Sequence, residues 1–414
     1  MNTPELIGAS NTNCCIVGAG PAGAILALLL ARQGHSVTLL EAHADFERDF
    51  RGDTIHPSVL DIMGEIGLAE RLLALPHAKN YGLTAHTPQG KVQMIDFRVL
   101  KTQYPYVMLI PQSRFLEFIV EEAACYPNFR LIMNARVESL IEEDGVIRGV
   151  RYRDNDRLSV INATLTVGAD GRFSKIRKLS ALESVVTSPP MDVLWFRLPR
   201  ETTDSDEASQ VFIGNGFFVI LLNRESFWQV GYLIMKHSYA ELKAAGIEAF
   251  RASLAAALPE YKERLAMLDG WNTMALLSIE ANRLKKWYRP GLLMIGDAAH
   301  AMSPLGGVGI NYAIQDAVVA ANILDEPLRR DGVLVKHLRS IQRRREWPIR
   351  IIQSLQGSFH RRVIARSLAP QDVKVKGQGG MPPVIRAIFR LPLIRTIPTR
   401  LMAYGVWPVH VVHR

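Results

Sequence analysis

The sequence predicts an α/β fold: a Rossmann-like domain, interrupted by a mainly antiparallel β-sheet domain and followed by a basic helical tail. Three short segments in a fixed order predict it. The first, Val17-Gly18-Ala19-Gly20-Pro21-Ala22-Gly23, lies between an apolar run and a helix-favouring run. The second is Gly168-Ala169-Asp170-Gly171-Arg172-Phe173-Ser174-Lys175-Ile176-Arg177. The third, Gly296-Asp297-Ala298-Ala299-His300, continues into Pro304-Leu305-Gly306-Gly307-Val308-Gly309-Ile310-Asn311. Roughly 100 residues of strand-rich sequence separate the second from the third.

The first segment has a direct physical reading. Cys14 to Val17 is a short strand, and Ala24 to Ala31 belongs to a helix. Between them, glycines permit a tight turn, close approach of the backbone to a pyrophosphate, and flush packing of helix on strand. The free N–H groups and positive dipole end of the helix then receive the anion. A second strand, Ser36 to Leu40, ends at Glu41, 18 residues after Gly23 and next to Ala42. Its carboxylate suits ribose hydroxyls and disfavours a ribose 2′-phosphate. The unit reads as a dinucleotide site.

Composition sets the outer limits. At 414 residues the chain can hold two or three domains, and 48% hydrophobic with 21% charged residues describes an ordinary folded protein. No apolar run approaches the ~20 residues of a bilayer-spanning helix. Met1 to Asn13 is polar without a basic n-region, so no signal peptide is expected. Cys14, Cys15 and Cys125 offer no disulfide framework and read as buried small hydrophobes, and no His/Cys cluster has metal-ligand spacing. A cytoplasmic location follows as the expectation.

The net charge of +9 is unevenly spread. From Arg329 to Arg414 there are 18 Lys/Arg against 3 Asp/Glu, whereas the rest of the chain is slightly acidic. Nucleic-acid binding is not expected, because the basic stretch has neither a reader motif nor an aromatic stacking platform.

Along the chain, residues 12–82, 107–180 and 282–330 are assigned to the nucleotide domain. Residues 83–106 and 181–281 are assigned to the β-sheet domain, and 331–414 to the tail. In the nucleotide domain, a helix opens near Ser113 and strands follow at 130–133, 136–142, 146–152 and 165–168. Alternation marks a strand at 91–97 and others at 192–198, 210–212, 217–222, 228–233 and 273–278. An amphipathic helical stretch covers 239–258, with a shorter one at 262–268. A buried strand ends at Asp297, and a long helix covers 310–324. In the tail, 339–366 reads as helical, 374–380 as a linker, and 383–390 and 401–404 as amphipathic pieces.

The third segment adds chemistry. Asp297 at a strand end is placed to bond a polyol. The glycines after it let backbone N–H groups approach a flat ring, next to a helix start that favours negative charge. A reduced flavin is such a ring, anionic along one edge.

Taken together, the segments resemble the class A flavoprotein monooxygenases, the para-hydroxybenzoate hydroxylase-like group, over about residues 12–330. They match that family's GxGxxG, DG and GD motifs in order and spacing. The resemblance implies FAD contacts at Gly18, Gly20, Ala22, Gly23, Glu41 and Ala42, at Arg51 of Phe50-Arg51-Gly52-Asp53, and at Gln112 and Arg114. It implies others at Val137, Asp170, Asp297, Pro304, Gly307, Gly309, Ile310 and Asn311. It assigns Asp170 and Arg172 to a motif shared by FAD and NAD(P)H.

With one dinucleotide fingerprint, NAD(P)H is expected to visit transiently and pass hydride to FAD. The resemblance implies the family's mechanism for the rest: O2 would add to the reduced flavin, and the 4a-hydroperoxide would oxygenate a small, electron-rich, usually aromatic substrate. The flavin carries the chemistry, so no catalytic side chain is certain. His56, Arg197 and Tyr232 are candidates, with Trp195, Phe212, Phe218 and Trp228 as further wall residues. His56 could deprotonate a phenol or be structural, and a structural role is expected for His300.

The same scaffold serves reductases or dehydrogenases, and halogenases. The Trp-x-Trp-x-Ile-Pro segment expected of halogenases does not occur in this sequence. A non-catalytic, membrane-tethered flavoprotein is the reading outside enzymology. For the basic tail, packing against the body to close the substrate domain is the first expectation. A peripheral dock at the inner face of a membrane is the alternative. Oligomeric state and the choice between NADH and NADPH stay open at this level.

Overall fold

Strands apolar on both faces tend to pair in parallel beneath helices, and alternating strands pair antiparallel with one face on a core. Both kinds occur in the computed structural model. It describes residues 6–47, 53–154, 157–204, 209–214, 216–224, 226–330, 332–368 and 392–412.

The first kind builds an eight-stranded sheet. Its parallel centre runs in the order Leu292–Met294, Arg157–Gly168, Leu6–Val17, Val37–Leu40 and Phe129–Ile132. Tyr288–Arg289 flanks one edge. Val146–Asp154 and Arg136–Glu143 add an antiparallel extension. Two central strands are longer than their apolar cores predict, because Leu6 to Thr12 pairs with Leu158 to Ala163. The register decides the function: Val17 lies opposite Gly168, and Gly168 opposite Met294. All three glycine–aspartate segments therefore leave the sheet side by side, at the carboxyl ends of parallel strands where α/β folds bind ligands.

The helix Pro21–Arg32 is apolar all round, and every residue from Ala22 to Ala31 is buried. It packs against the helices Gln112–Ala124 and Gly309–Arg329 in one core with the sheet.

The second sheet has seven strands in the order Ala275–Ser278, Met191–Pro199, Phe227–Met235, Phe218–Asn223, Ser209–Ile213, Gly82–Thr87 and Gly90–Asp96. Only the pair Ser209–Ile213 with Gly82–Thr87 is parallel. The two faces alternate residue by residue. Val193, Trp195, Val211, Phe218 and Leu233 share one face with Val363, Ile364 and Ala403 of the tail. Leu194, Phe196, Phe212, Trp228 and Tyr232 face the other way, onto Phe250, Leu254 and Tyr261. The helical stretch expected across 239–258 is broken into Tyr239–Ala244 and Ile247–Ala257 by Gly246, whose φ of +92° suits glycine.

In the tail, the helix Val335–Phe359 continues through a π-helical turn, His360–Ile364, to Leu368. A second helix, Pro392–Tyr404, includes the expected piece at 401–404. The linker at 374–380 and the apolar piece at 383–390 lie outside the described residues. The chain end is tied back to the nucleotide-binding half: Asn322 Nδ2 donates to the His410 carbonyl at 2.8 Å, and the Val411 N–H donates to Glu65 at 2.8 Å. Cys14 and Cys15 are buried, and burial pushes the Cys15 thiol up to about 12. Cys125 is exposed, against expectation, because it stands just past the end of the helix Gln112–Ala124. Among the described residues, no helix is long and apolar enough to cross a membrane.

Candidate active site

At the end of the first strand, the Gly18 N–H donates to the Leu40 carbonyl at 2.7 Å, with φ at +102°. A Cβ on Gly23 would lie 1.9 Å from the Gly18 carbonyl oxygen, so the helix rests directly on the turn. No side chain caps the helix at Gly20. Its first N–H groups thus face the cleft as an anion seat. Glu41 is buried at the neighbouring strand end. One carboxylate oxygen accepts the Ala19 N–H at 3.0 Å and the other the His43 N–H at 3.1 Å. Ala42, Arg136 and Val137 complete this end of the cleft.

The second segment is built around Asp170. Its carboxylate accepts Ser174 Oγ at 2.5 Å and the Ile176 N–H at 3.0 Å, fixing the start of the short helix Lys175–Leu179. Burial raises the Asp170 carboxyl above its ordinary range, while those hydrogen bonds oppose the rise. Arg177 ties this segment to the third, donating to the Ala298 carbonyl at 3.1 Å and to the Arg172 carbonyl. Both Asp170 and Arg172 border the cleft.

The third segment is anchored from behind. Asp316, fully buried on the helix Gly309–Arg329, accepts the Gly296 N–H at 3.0 Å, His300 Nε2 at 2.5 Å and Arg345 Nε at 2.7 Å. Burial alone would raise Asp316, but His300 and Arg345 outweigh it and hold the carboxyl below its usual value. His300 is structural, as expected, with the Trp287 ring 5.0 Å away. Asp297, on the turn so anchored, lines the cleft.

The loop that follows has Gly306 and Gly307 at φ +83° and +62°. The Gly307 carbonyl accepts Thr54 Oγ1 at 3.0 Å and the His56 ring Nε2 at 3.2 Å. His56 therefore carries its proton on Nε2, and burial lowers it to about 4. It acts as a neutral prop for this loop and lines the cavity.

Around these segments lies a single cavity of about 1100 Å³. It runs from Gly18, Gly20, Ala22 and Glu41, past Gln112, Asp170, Asp297, Pro304, Gly307, Gly309 and Ile310, to the seven-stranded sheet. Some expected contacts lie elsewhere. Gly23 serves helix packing. Asn311 is buried outside the cavity, accepting Ser58 Oγ at 2.5 Å and Gln315 Nε2 at 3.1 Å. Arg114 is largely exposed, 4.0 Å from Glu117. Arg51 falls outside the described residues.

Of the wall candidates, Trp195 and Phe218 line the cavity. Tyr232, Phe212 and Trp228 are on the opposite face of the sheet, where the pleat turns them. Tyr232 Oη is 3.3 Å from Ser253 Oγ, and Trp228 Nε1 donates to Asp204 at 2.8 Å. Arg197 has the parity of Trp195 but lies past the cavity's edge, exposed, 4.9 Å from the centre of the Phe227 ring. Neither Arg197 nor Tyr232 reaches the site.

Sequence reasoning missed two sets of lining residues. Arg224 pairs with Asp53 at 2.6 Å and with Gln229 at 2.9 Å, joining the first sheet's loops to the second sheet. An arginine in a hairpin carries no mark of this role. The tail supplies Ile352, Gln356, Phe359, His360, Leu401 and Met402. Gln356 donates to the carbonyls of Ser303 and Leu305 at 3.1 and 2.9 Å, and His360 Nε2 is 3.1 Å from Ser303 Oγ. The tail thus grips the loop leading to Gly307 and forms one wall of the cavity. Packing, the first expectation for it, is what the structure shows.

His360, like His56, is lowered by burial to about 4. Both imidazoles take up protons near pH 6.5 when unfolded, so their stabilisation is complete above that value. It is lost as the pH falls from about 6.5 towards 4. The loss should reach up to about 3 kcal/mol per histidine. A thermal-midpoint series over this range checks it, and the double variant His56→Phe/His360→Phe should show a flatter profile.

Three comparisons bear on this site. The family model described as "FAD binding domain" matches residues 11–352. The 6-methylpretetramide 4-monooxygenase of Streptomyces rimosus is 30% identical over 399 residues, spanning 96% of this chain and 93% of that protein. Among solved structures, P. aeruginosa PqsL in complex with 2-aminobenzoylacetate superposes with a TM-score of 0.74 at 21% identity, covering 87% of this chain and 97% of that one. The flavin-dependent brominase Bmp2 superposes at 0.78 with 15% identity, covering 95% and 94%. A flavin-dependent brominase shares this fold, so the fold alone does not select the reaction.

Proposed function

Because this chain belongs to the FAD-binding-domain family and is an FAD-dependent monooxygenase, we propose that its substrate is a small aromatic compound. The substrate would lie between the seven-stranded sheet and the tail, with NAD(P)H as a transient electron donor and O2 as the oxidant. The observation that carries this reading is the continuity of the cavity from the glycine turns to an apolar wall of Val193, Trp195, Val211, Phe218, Leu233 and Ile279.

The residues present suit FAD. The helix start at Gly20 is uncapped, and the positive-φ glycines at 18 and 307 keep side chains away from the cleft. We assign the pyrophosphate to Gly18, Gly20 and Ala22, together with Arg51. The ribose goes to Glu41 and Ala42, the adenosine side to Val137, and the polyol to Asp297. Gln112 and Pro304 to Ile310 would border the ring. Bound there, FAD supplies the electron transfer from NAD(P)H and the activation of O2.

The chain's own residues do the rest. Thr54 and His56 hold the Gly307 carbonyl and so set the loop that would carry the ring. The apolar wall keeps water away from reactive oxygen. Asn80, bonded to Ser209 at 2.6 Å, and Gln229 are polar groups in the lining that can orient a hydroxyl or carbonyl. Arg224, held by Asp53 and Gln229, lines the cavity as a fixed cation that would draw an anionic oxygen of substrate or nicotinamide cofactor. The basic tail is the part we assign to peripheral contact with a membrane.

The test is a panel of aromatic compounds, scored for acceleration of NAD(P)H oxidation and for coupling to hydroxylated product rather than to peroxide. Saturation or reduction of the substrate without oxygen uptake would overturn the assignment.

The wall also makes a geometric prediction. Gly231 lies opposite Trp195 in the sheet, and a Cβ there would come within 2.8 Å of the indole. Gly231→Ala should press the ring into the cavity and raise KM on the order of tenfold. FAD content should not change. Steady-state kinetics with flavin quantification checks both.

A further inference from the structure

The tail helix Val335–Phe359 already has a buried face, made by Leu338, Ile341, Arg345, Ile349 and Ile352. Three more large apolar side chains stand on its outer side. Trp347, Ile351 and Leu355 follow one another at every fourth position, in a single row along the helix. They are 66%, 39% and 47% exposed. Arginines flank the row. Arg343 lies one turn before Trp347, and Arg344 and Arg350 lie on either side, all exposed. Arg343 and Arg344 have no carboxylate partner among the described residues. The helix has one acid, Glu346, which is occupied by Arg350 at 2.6 Å and by Gln342 at 3.0 Å. Exposed Arg361 and Arg362 extend the basic surface past the helix end.

The row leads to the cavity. Leu355 both lines it and reaches solvent, and so does Ile397, 65% exposed on the second tail helix. Leu355 and Ile397 thus belong both to the cavity lining and to the outer surface, and Leu355 ends an apolar ridge between arginines.

The geometry points to an anionic phospholipid bilayer as the partner of this face. Trp347, Ile351 and Leu355 settle at headgroup level, the arginines meet lipid phosphates, and the cavity wall that includes Leu355 and Ile397 lies towards the bilayer. A second copy of the chain fits less well. A two-fold interface would set one arginine-rich face against another, and like charges would oppose it. For the substrate, the consequence is that a lipophilic compound passes from bilayer to cavity without crossing water. This part rests on the cavity being the substrate site.

The experiment is flotation of the full-length, FAD-loaded protein with phosphatidylcholine vesicles, with and without phosphatidylglycerol. The protein should float with the anionic vesicles only, and less so as salt rises. Trp347→Ser/Ile351→Ser and Arg343→Gln/Arg344→Gln should each lower the bound fraction about tenfold or more, at wild-type FAD content and thermal midpoint. Three results would overturn the proposal: wild-type protein that stays unbound, a Trp347/Ile351 variant that floats undiminished, or a variant whose only change is dissociation of a dimer in sedimentation. Flotation does not depend on turnover. A protein that floats but oxygenates no aromatic compound counts against the catalytic assignment, not against docking.

Discussion

Gly23→Val is expected to yield a protein that retains almost no FAD. The first added carbon would lie 1.9 Å from the Gly18 carbonyl oxygen, well inside any allowed contact, and that oxygen belongs to backbone. A flexible side chain could swing away, but this turn cannot. Gly18 is held on its other side, where a Cβ of its own would meet the Ala169 carbonyl at 2.6 Å. The helix Pro21–Arg32 must therefore lift off the turn and carry its N–H groups away from the pyrophosphate seat. Overpacking at ordinary core positions costs about 1–3 kcal/mol, and a backbone obstacle belongs at the upper end. A loss of that size weakens FAD binding about a hundredfold or more. The ratio of flavin to protein absorbance after purification reads it directly. Gly8→Ala is the control, since a Cβ there meets nothing within 4 Å and Gly8 lies away from the cavity. If Gly23→Val kept its FAD, the packing argument would be wrong.

Arg345→Met should cost about 3–5 kcal/mol of stability, the range for breaking a buried ion pair from one side. Arg345 and Asp316 are almost wholly inaccessible to water, and 2.7 Å apart. Methionine keeps the stem but leaves Asp316 without its guanidinium, in a place where an unpaired carboxylate is poorly tolerated. The same carboxylate holds Gly296 and His300, so the turn bearing Asp297 should loosen and FAD should dissociate faster. The pH dependence carries a sign. Pairing holds Asp316 below the ordinary carboxylate range, so its stabilisation is present above about pH 3.9 and disappears as the pH falls below it. Without Arg345 the carboxyl rises, and acid unfolding should begin at a higher pH. Thermal melts across a pH series, with flavin release as a second signal, check both statements.

The cleft was legible in the sequence because its chemistry depends on backbone. A turn that must bring N–H groups to a phosphate needs glycine at given spacings, and residue type reports that need. Gly18, Gly20 and Gly307 could be named for this reason, and Glu41 and Asp297 for the strand ends beside those turns. Where a prediction rested on side-chain direction, the sequence was a poorer guide. Trp195 and Tyr232 look alike as strand aromatics, yet one lines the cavity and the other is turned to the far face. The difference is the parity of their positions relative to a register that only strand pairing sets. His56 could be read as a base or as a prop. Its bond to the Gly307 carbonyl, 251 residues away, favours the prop.

The tail shows the same limit over a longer range. Its basic charge and helical periodicity are local properties, visible in the residues themselves. That Gln356 and His360 grip the loop of Ser303, and that Arg345 anchors Asp316 behind the third segment, are contacts between distant parts of the chain. No local pattern encodes them.

By itself, the sequence determined the cofactor class, the three turns that line the cleft, and the alternation of an inserted sheet, since each follows from backbone geometry or a short repeat. The tertiary structure alone decided that Val17, Gly168 and Met294 end abreast, so that three separate segments share one cleft. It also decided which face of the second sheet looks into that cleft, and that the tail walls it on one side. Register and packing are relations between residues far apart in the chain, and burial of apolar surface settles them for the molecule as a whole.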